Sequence, residues 1–203
     1  RIPQSPLGWL AAVLTAEEFH HAQAGLTAGE YRRRTYERLL FQDYGDFIPE
    51  ISAFLKNPDD NCPLAFREAA LIKAVLLLVE WAQGAPVEKL EQRFQLHLGQ
   101  ITDLAATAAW LAGALGKIAA TANAFSPTPA FLEEYAFQVQ FGLDPVMQSL
   151  HGYFRGILNR ADFMALAREQ VTSLEALAGL DVSVLSRLIH PESKRQQLIG
   201  HIK

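Results

Sequence analysis

Trp110 and Lys117 are the residues of this 203-residue chain whose types and spacing point most directly to a binding surface. They are seven positions apart, which is two turns of an α-helix, so they lie on one helix face. The residues between them on that face, Gly113 and Ala114, are small. With Asp103 and Lys117 an acid and a base lie near the Trp110 ring, and such a surface could stack a planar group, as single-strand binders do with nucleobases.

A purely structural explanation of Trp110 stands beside the functional one. An alanine-rich helix is often buried on all sides, and Trp110 would then pack against a second layer of the fold. On an ideal helix, Trp110 lies about 120° from the centre of the apolar stripe. That stripe consists of Ile101, Leu104, Ala108, Leu111, Leu115 and Ile118. The sequence leaves both interpretations open.

A cluster of four arginines is a second candidate surface, on one predicted helix: Arg32, Arg33, Arg34 and Arg38. Such a cluster could bind phosphates or an acidic protein partner. Alternatively, ion pairs with Glu30 and Glu37 would make it an ordinary solvated surface, and we favour this alternative.

The familiar catalytic and metal-binding signatures do not occur in the sequence. Gly116-Lys117 is followed by Ile118 and has no glycine five residues before it, so it is not a phosphate-binding loop. The adjacent His20 and His21 lack the four-residue spacing of helical zinc ligands. No Ser-His-Asp or Cys-His arrangement is evident. We therefore expect the chain itself to be non-catalytic, with no cofactor or metal of its own.

Composition sets limits on the partners and the compartment. A net charge of −4 excludes a generally basic nucleic-acid protein, so any such contact must be local. Cys62 is the only cysteine, which excludes an internal disulfide and fits a cytoplasmic location. The longest apolar run, Ala74–Val79, is far short of the roughly 20 residues that cross a bilayer, so no membrane partner is expected.

The elements that would position these residues are almost all predicted to be α-helices, because β-branched alternation is absent. Two capping boxes, at residues 15–18 and 27–30, predict helix starts at Ala16 and Ala28, the second helix continuing to about Tyr44. Further helices are predicted over 47–55, 64–83, 87–94, 99–118, 130–141, 145–156, 160–170, 173–180 and 182–189.

The predicted fold is an all-α multi-helix bundle with a long central helix, followed by a small helical subdomain. Long helices give way to short ones near residue 143, which predicts domains at 1–142 and 143–203. Helices 87–94 and 99–118 also have helix-turn-helix spacing. A sequence-specific DNA regulator is nevertheless disfavoured, because the second helix offers no arginine or lysine before Lys117.

Several segments together resemble the C-terminal helical domain of Ski-like DExH-box helicases, the group that contains the archaeal repair helicases. They are Leu76–Leu90, Phe94, Leu98–Ile101, Thr107–Leu111, Ala114-Leu115 and Ile118-Ala119, continuing through Phe131–Ala136, Phe141–Leu143, Leu158–Ala161 and Gln170–Leu177. The resemblance implies that the long helix lies across the translocating strand, with Trp110 stacked on a base. The tail is similar to the family's helix-hairpin-helix element, and Arg160 matches its arginine after the hairpin.

The resemblance also implies a function. The chain would be a non-catalytic accessory domain of an ATP-dependent DEAD/DEAH-type helicase, with ATP and Mg²⁺ held by separate motor domains. Its partners would be single-stranded DNA or RNA and those motor domains, and the phosphate contacts would be Lys117, Arg155, Arg160 and Arg168. Two positions depart from the family: Asp103 replaces an arginine, and Ile157-Leu158-Asn159 replaces a Gly-x-Gly. The alternative is a helical protein-interaction or regulatory module that does not bind nucleic acid, with Arg32–Arg38 as its docking surface.

Overall fold

The computed structural model describes residues 5–16, 25–55, 65–122 and 128–202, and every regular element in those ranges is helical. The all-α class is therefore confirmed. The described helices are α1 (Pro6–Leu14), α2 (Ala28–Arg32), α3 (Thr35–Asp43), α4 (Ile48–Ile51), α5 (Phe66–Ala82), α6 (Val87–Phe94), α7 (Leu98–Ala122), α8 (Thr128–Phe141), α9 (Gln148–Phe154), α10 (Arg160–Arg168), α11 (Leu174–Ala178), α12 (Val182–Leu188) and α13 (Glu192–Ile202). Short 3-10 turns flank α4 and precede α9.

The chain divides into two compact units, Arg1–Phe141 and Gly142–Lys203. In the first unit α5 is the central helix, because every residue from Ile72 to Ala82 is buried. It packs against α1, α3, α6, α7 and α8. A helix that is apolar around its whole circumference needs neighbours on every side, and α5 has them. The longest helix, α7, is not the central one, and it keeps an exposed face.

Helix α7 packs mainly against α8, and small side chains form much of its buried face. Ala105, Ala108 and Ala112 are fully or almost fully buried, which allows the two backbones to approach closely. The predicted apolar stripe is correct at Ile101, Leu104 and Ala108 but wrong at its end, because Ile118 is 65% exposed. In an alanine-rich helix the buried side chains are no larger than the exposed ones. The spacing of the larger apolar residues therefore did not predict the buried face at the end of α7.

Other boundaries also differ from the predictions. The helix predicted from Ala28 to about Tyr44 is interrupted at Arg34, whose φ of 52° is left-handed, and becomes α2 and α3. Two helices, α1 and α13, were not predicted from the sequence. Thr15, which was predicted to precede a helix start, instead follows the end of α1. The helix predicted to begin at Ala16 extends into residues outside the described ranges. His20, His21 and Cys62 also lie outside those ranges.

A buried ion pair joins α2 to α5. Lys73 is fully buried, and its Nζ lies 3.1 Å from Glu30 Oε1 while also donating to the Gly25 carbonyl at 3.1 Å. Glu30 accepts two further hydrogen bonds, from the Tyr36 hydroxyl at 2.5 Å and from the Thr27 backbone N–H at 2.7 Å. The Glu30 N–H in turn donates to Thr27 Oγ1 at 3.2 Å, so the predicted capping box is confirmed.

Burial and hydrogen bonding oppose each other at this pair. Burial raises the pKa of Glu30, but the hydrogen bonds from Tyr36, Thr27 and Lys73 outweigh it and hold that pKa below its ordinary value. Burial lowers the pKa of Lys73, and the nearby Glu30 carboxylate only partly restores it. Burial and the same carboxylate raise the pKa of Tyr36 strongly, so its hydroxyl stays a hydrogen-bond donor.

A second polar cluster joins the end of α3 to α5 and α6. Arg93 Nε lies 3.1 Å from Glu80 Oε1 in an ion pair, and Arg93 Nη2 donates to Asp43 Oδ2 at 2.5 Å. The Tyr44 hydroxyl donates to Glu80 at 3.2 Å, and burial, with Glu80 beside it, raises the pKa of Tyr44 to about 12. Glu80 therefore satisfies its buried carboxylate with two donors.

Helix α10 of the second unit carries well-formed signals at both ends. Asn159 and Asp162 form a capping box at its start, and Lys194 Nζ lies 2.5 Å from Asp162. At its end, the Val171 N–H donates to the Leu166 carbonyl at 2.9 Å and the Gln170 N–H donates to the Ala167 carbonyl at 3.0 Å, which is a Schellman motif. Gln170 takes the left-handed position, with φ of 60°, where glycine is favoured.

Replacing Lys73 with methionine should lower the free energy of unfolding by about 3–5 kcal/mol, because Glu30 would remain buried without its cation. The measurement is guanidinium-induced unfolding followed by circular dichroism. Since the folded-state pKa of Glu30 is lowered, its contribution is present above the ordinary carboxyl pKa and is lost as the pH falls through the lowered value. The destabilisation should therefore shrink in strong acid.

The control for this prediction is Arg187→Met, which removes one partner of the exposed Arg187–Glu169 pair. Exposed pairs contribute about 0–1 kcal/mol, so this variant should unfold almost like the parent. Equal losses in the two variants would contradict a special role for the buried pair.

Replacing Gln170 with glycine should raise the free energy of unfolding by about 0.5–1 kcal/mol, because glycine adopts the left-handed conformation without a steric penalty. Arg168→Gly, two residues earlier and inside α10, should lower it by about 1 kcal/mol. Thermal unfolding of both variants tests the opposite signs. A loss of stability in both would show that the conformation of Gln170 is not strained.

Candidate nucleic-acid interface

Trp110 lies on the solvent-facing side of α7 and is 62% exposed. The alternative in which it packs inside a second layer is therefore wrong. Ala108, Ala109 and Ala112 take the buried positions around it, and the 100° step between residues turns Trp110 away from them. Its orientation follows from helix geometry once α8 occupies the alanine face.

A continuous open face runs along α7 through Trp110. Asp103, Ala106 and Lys117 are exposed, and they follow the three- and four-residue spacing of one helix side. A Cβ atom added to Gly113 would meet no atom within 4 Å, so the space one turn after the indole is empty. Most of the surface of the Trp110 side chain is therefore accessible from solvent.

The charges of this face are placed symmetrically about the ring. Asp103 and Lys117 each lie seven residues from Trp110, about 10 Å along the helix axis. An incoming phosphate would be attracted to the Lys117 end and repelled from the Asp103 end. The face can therefore bind a stacked base with a phosphate on one side only, which gives a bound strand a preferred position.

Two exposed apolar residues of α7 were not identified by the sequence pattern. Ile118 lies beside Lys117, and Leu98, at the start of the helix, is partly exposed. Ile118 had been assigned to the buried stripe. Ile118 lies about 80° from Trp110 around the helix, so it adds exposed apolar surface at the edge of the open face.

The other predicted phosphate contacts, Arg155, Arg160 and Arg168, belong to the second unit. Arg155 and Arg168 are exposed there. Arg160 is half-buried, and its Nε donates to the Gly142 carbonyl at 3.0 Å, while burial lowers its pKa to about 10. It therefore anchors the start of α10 in addition to any contact with a ligand. The exposed Tyr153, next to Phe154, was not singled out from the sequence.

The arginine cluster is only partly paired. Arg34 forms an ion pair with Glu37, as expected for an ordinary surface. The expected pairing with Glu30 is wrong, because the Glu30 carboxylate is directed to Lys73 inside the fold. The remaining members, Arg32, Arg33 and Arg38, are exposed.

The sequence of this chain matches the profile of a known protein family. The sequence profile described as archaeal helicase, domain 4, matches residues 31–135, which is just over half of the chain and includes all of α7. The chain belongs to the archaeal helicase domain 4 family. The resemblance to helicase helical domains is thereby confirmed at this level. The domain 4 match begins within the first 60 residues, which had contributed little to the resemblance, and ends before the second unit.

Two further findings concern the described residues, 5–16, 25–55, 65–122 and 128–202. No helix in that part of this domain 4 chain is long and apolar enough to cross a membrane. Within the same ranges, no group of three or more His, Cys, Asp or Glu residues is placed to hold a metal ion.

Replacing Trp110 with alanine should change the free energy of unfolding by less than about 0.5 kcal/mol, because an exposed side chain contributes little to packing. Trp81 is the matched control. It is buried, and its Nε1 donates to the Val139 carbonyl at 2.8 Å, so Trp81→Ala should cost about 3–5 kcal/mol. Guanidinium unfolding of both variants tests this difference. A loss above about 2 kcal/mol for Trp110→Ala would mean that the ring supports the fold.

Proposed function

We propose that this chain is a non-catalytic accessory domain of an ATP-dependent DExH-box helicase of the Ski-like group, and that α7 contacts the translocating single strand. Trp110 stacks on a base and Lys117 contacts a phosphate of the same strand. The observation that supports this most directly is the exposed indole on a cleared helix face. ATP and Mg²⁺ would be held by motor domains outside this chain, which would be its protein partners in the cytoplasm.

The second unit has a supporting role in this proposal. Its turn between α9 and α10 corresponds to the helix-hairpin-helix-like element of the resemblance, and Arg155 and Arg168 would add phosphate contacts there. Arg160 would contribute with the part of its guanidinium that does not bind the Gly142 carbonyl. Stacking and phosphate contacts serve DNA and RNA alike, so the strand is defined as single-stranded nucleic acid of either kind.

Because it includes the acidic Asp103, this site differs from a binding channel that is lined by basic residues throughout. Its carboxylate repels phosphate, so the predicted grip depends on stacking more than on charge. We therefore expect binding that is tolerant of sequence, moderately sensitive to salt and strongly dependent on Trp110. A protein-interaction module, the second candidate, would instead ignore oligonucleotides altogether.

The test is fluorescence anisotropy of a labelled single-stranded oligonucleotide titrated with the 203-residue chain at two salt concentrations. Trp110→Ala should weaken binding by about 5- to 100-fold, since stacking contributes about 1–3 kcal/mol per base. Trp110→Phe, which keeps an aromatic ring, should retain most of the affinity. Lys117→Ala should reduce the salt slope by about 0.7, the value for one single-strand phosphate contact.

Lys89→Ala is the matched control for Lys117, because Lys89 is exposed on α6 and outside the open face of α7. It should leave both affinity and salt slope unchanged. Unaltered binding by Trp110→Ala would overturn the stacking role. Absence of binding by the parent chain at low salt would favour the protein-interaction module.

A further inference from the structure

The segment that contains α2 and α3 separates its charges between the inside and the outside of the fold. Both of its glutamates are buried, Glu30 at 5% exposure and Glu37 at 2%. Three of its arginines, Arg32, Arg33 and Arg38, are exposed. We call these three the arginine surface. The third acid of the segment, Asp43 at the end of α3, is exposed, but it pairs with Arg93 of α6.

The buried acids are occupied by other partners. Glu30 is bound by Lys73, Tyr36 and the Thr27 backbone, so it does not compensate the arginines outside. Glu37 pairs with Arg34, which is half-buried and is not counted in the arginine surface. The sequence predicts that Glu30 and Glu37 form ion pairs with this group of four arginines. Of the four, Arg34 is the one that pairs with either glutamate.

Local geometry holds two members of the arginine surface along α2. Arg32 Nε donates to the Ala28 carbonyl at 3.3 Å. The guanidinium of Arg33 lies over Gly29, where an added Cβ atom would be 3.6 Å from Nη2. The left-handed Arg34 then turns the chain into α3, which carries Arg38. Side chains that are already held near one conformation lose less entropy on binding an anion.

We propose that the arginine surface binds the phosphodiester backbone of nucleic acid, as a contact additional to that of Trp110. Planar guanidinium groups match the oxygen pairs of phosphate, and several of them that are exposed together provide binding that does not depend on base sequence. The inference rests on the proposed function only in that the chain meets nucleic acid. An acidic protein segment would satisfy the same charges, but membership of a helicase domain family favours phosphodiesters.

The experiment measures the affinity of a labelled duplex, which offers no unpaired base for Trp110, at several salt concentrations. The variant is Arg33→Gln with Arg38→Gln, and Arg32 is kept because it binds the Ala28 carbonyl. The matched control is Lys89→Gln with Arg187→Gln, which removes two exposed cations elsewhere and gives the same net charge. Circular dichroism verifies that both variants remain helical.

The arginine variant should reduce the slope of log affinity against log salt by about 1.8, since each duplex phosphate contact contributes about 0.9. The control should keep the parent slope. Equal reductions in both variants would overturn the proposal, because net charge alone would then explain binding, and so would an unchanged slope in the arginine variant. Tighter binding of a poly-glutamate peptide than of duplex, lost in the arginine variant, would overturn it in favour of an acidic protein partner.

The outcome is separable from that of the Trp110 experiment. If Trp110→Ala leaves single-strand binding intact while the arginine variant alters the duplex slope, stacking fails and the arginine surface stands. If Trp110→Ala abolishes single-strand binding and the arginine variant leaves duplex binding unchanged, stacking stands and the arginine surface fails.

Discussion

The buried pair of Lys73 and Glu30 is the interaction on which much of the first unit depends. Lys73 places a charge inside the buried central helix α5, and an isolated ammonium group there would be very costly. Its compensation comes from Glu30 and from the Gly25 carbonyl. The segment from Gly25 to α2 must therefore stay against α5. The same constraint withdraws Glu30 from the surface, so its carboxylate is not available to the neighbouring exposed arginines.

Tyr36 extends this constraint to α3 and α6. Its hydroxyl donates to Glu30 and also lies 3.3 Å from the Phe94 carbonyl, and its ring stacks on that of Phe94 with centroids 5.8 Å apart. Elsewhere in the unit, the indole of Trp81 donates to the α8 backbone at Val139. Helix α5 thus fixes its neighbours by directed polar contacts as well as by apolar burial. Directed contacts define one arrangement, whereas apolar packing alone tolerates several.

The accessibility of Trp110 results from this arrangement and not from any property of the ring. Because α8 packs on α5 and α7 packs on α8, the alanine side of α7 is buried in the interior of the unit. The largest side chain of α7 is then left facing solvent. A bulky aromatic residue in an exposed position gains little stability there, which is why a binding role explains its presence better than packing does.

The sequence by itself determined the all-α class, the positions of α6, α7 and α8 and the capping box at Thr27, because these depend on local periodicity and backbone capping. It also placed Trp110 and Lys117 on one side of a helix, since that relation needs only 3.6 residues per turn. The tertiary structure alone decided whether that side was open, because an alanine-rich helix does not mark its buried face. It also decided which cation Glu30 would bind, because Lys73 is 43 residues away and the sequence pointed to the nearer arginines as partners of Glu30. Pairing over such a distance depends on which helices pack together, and helical periodicity carries no information about that.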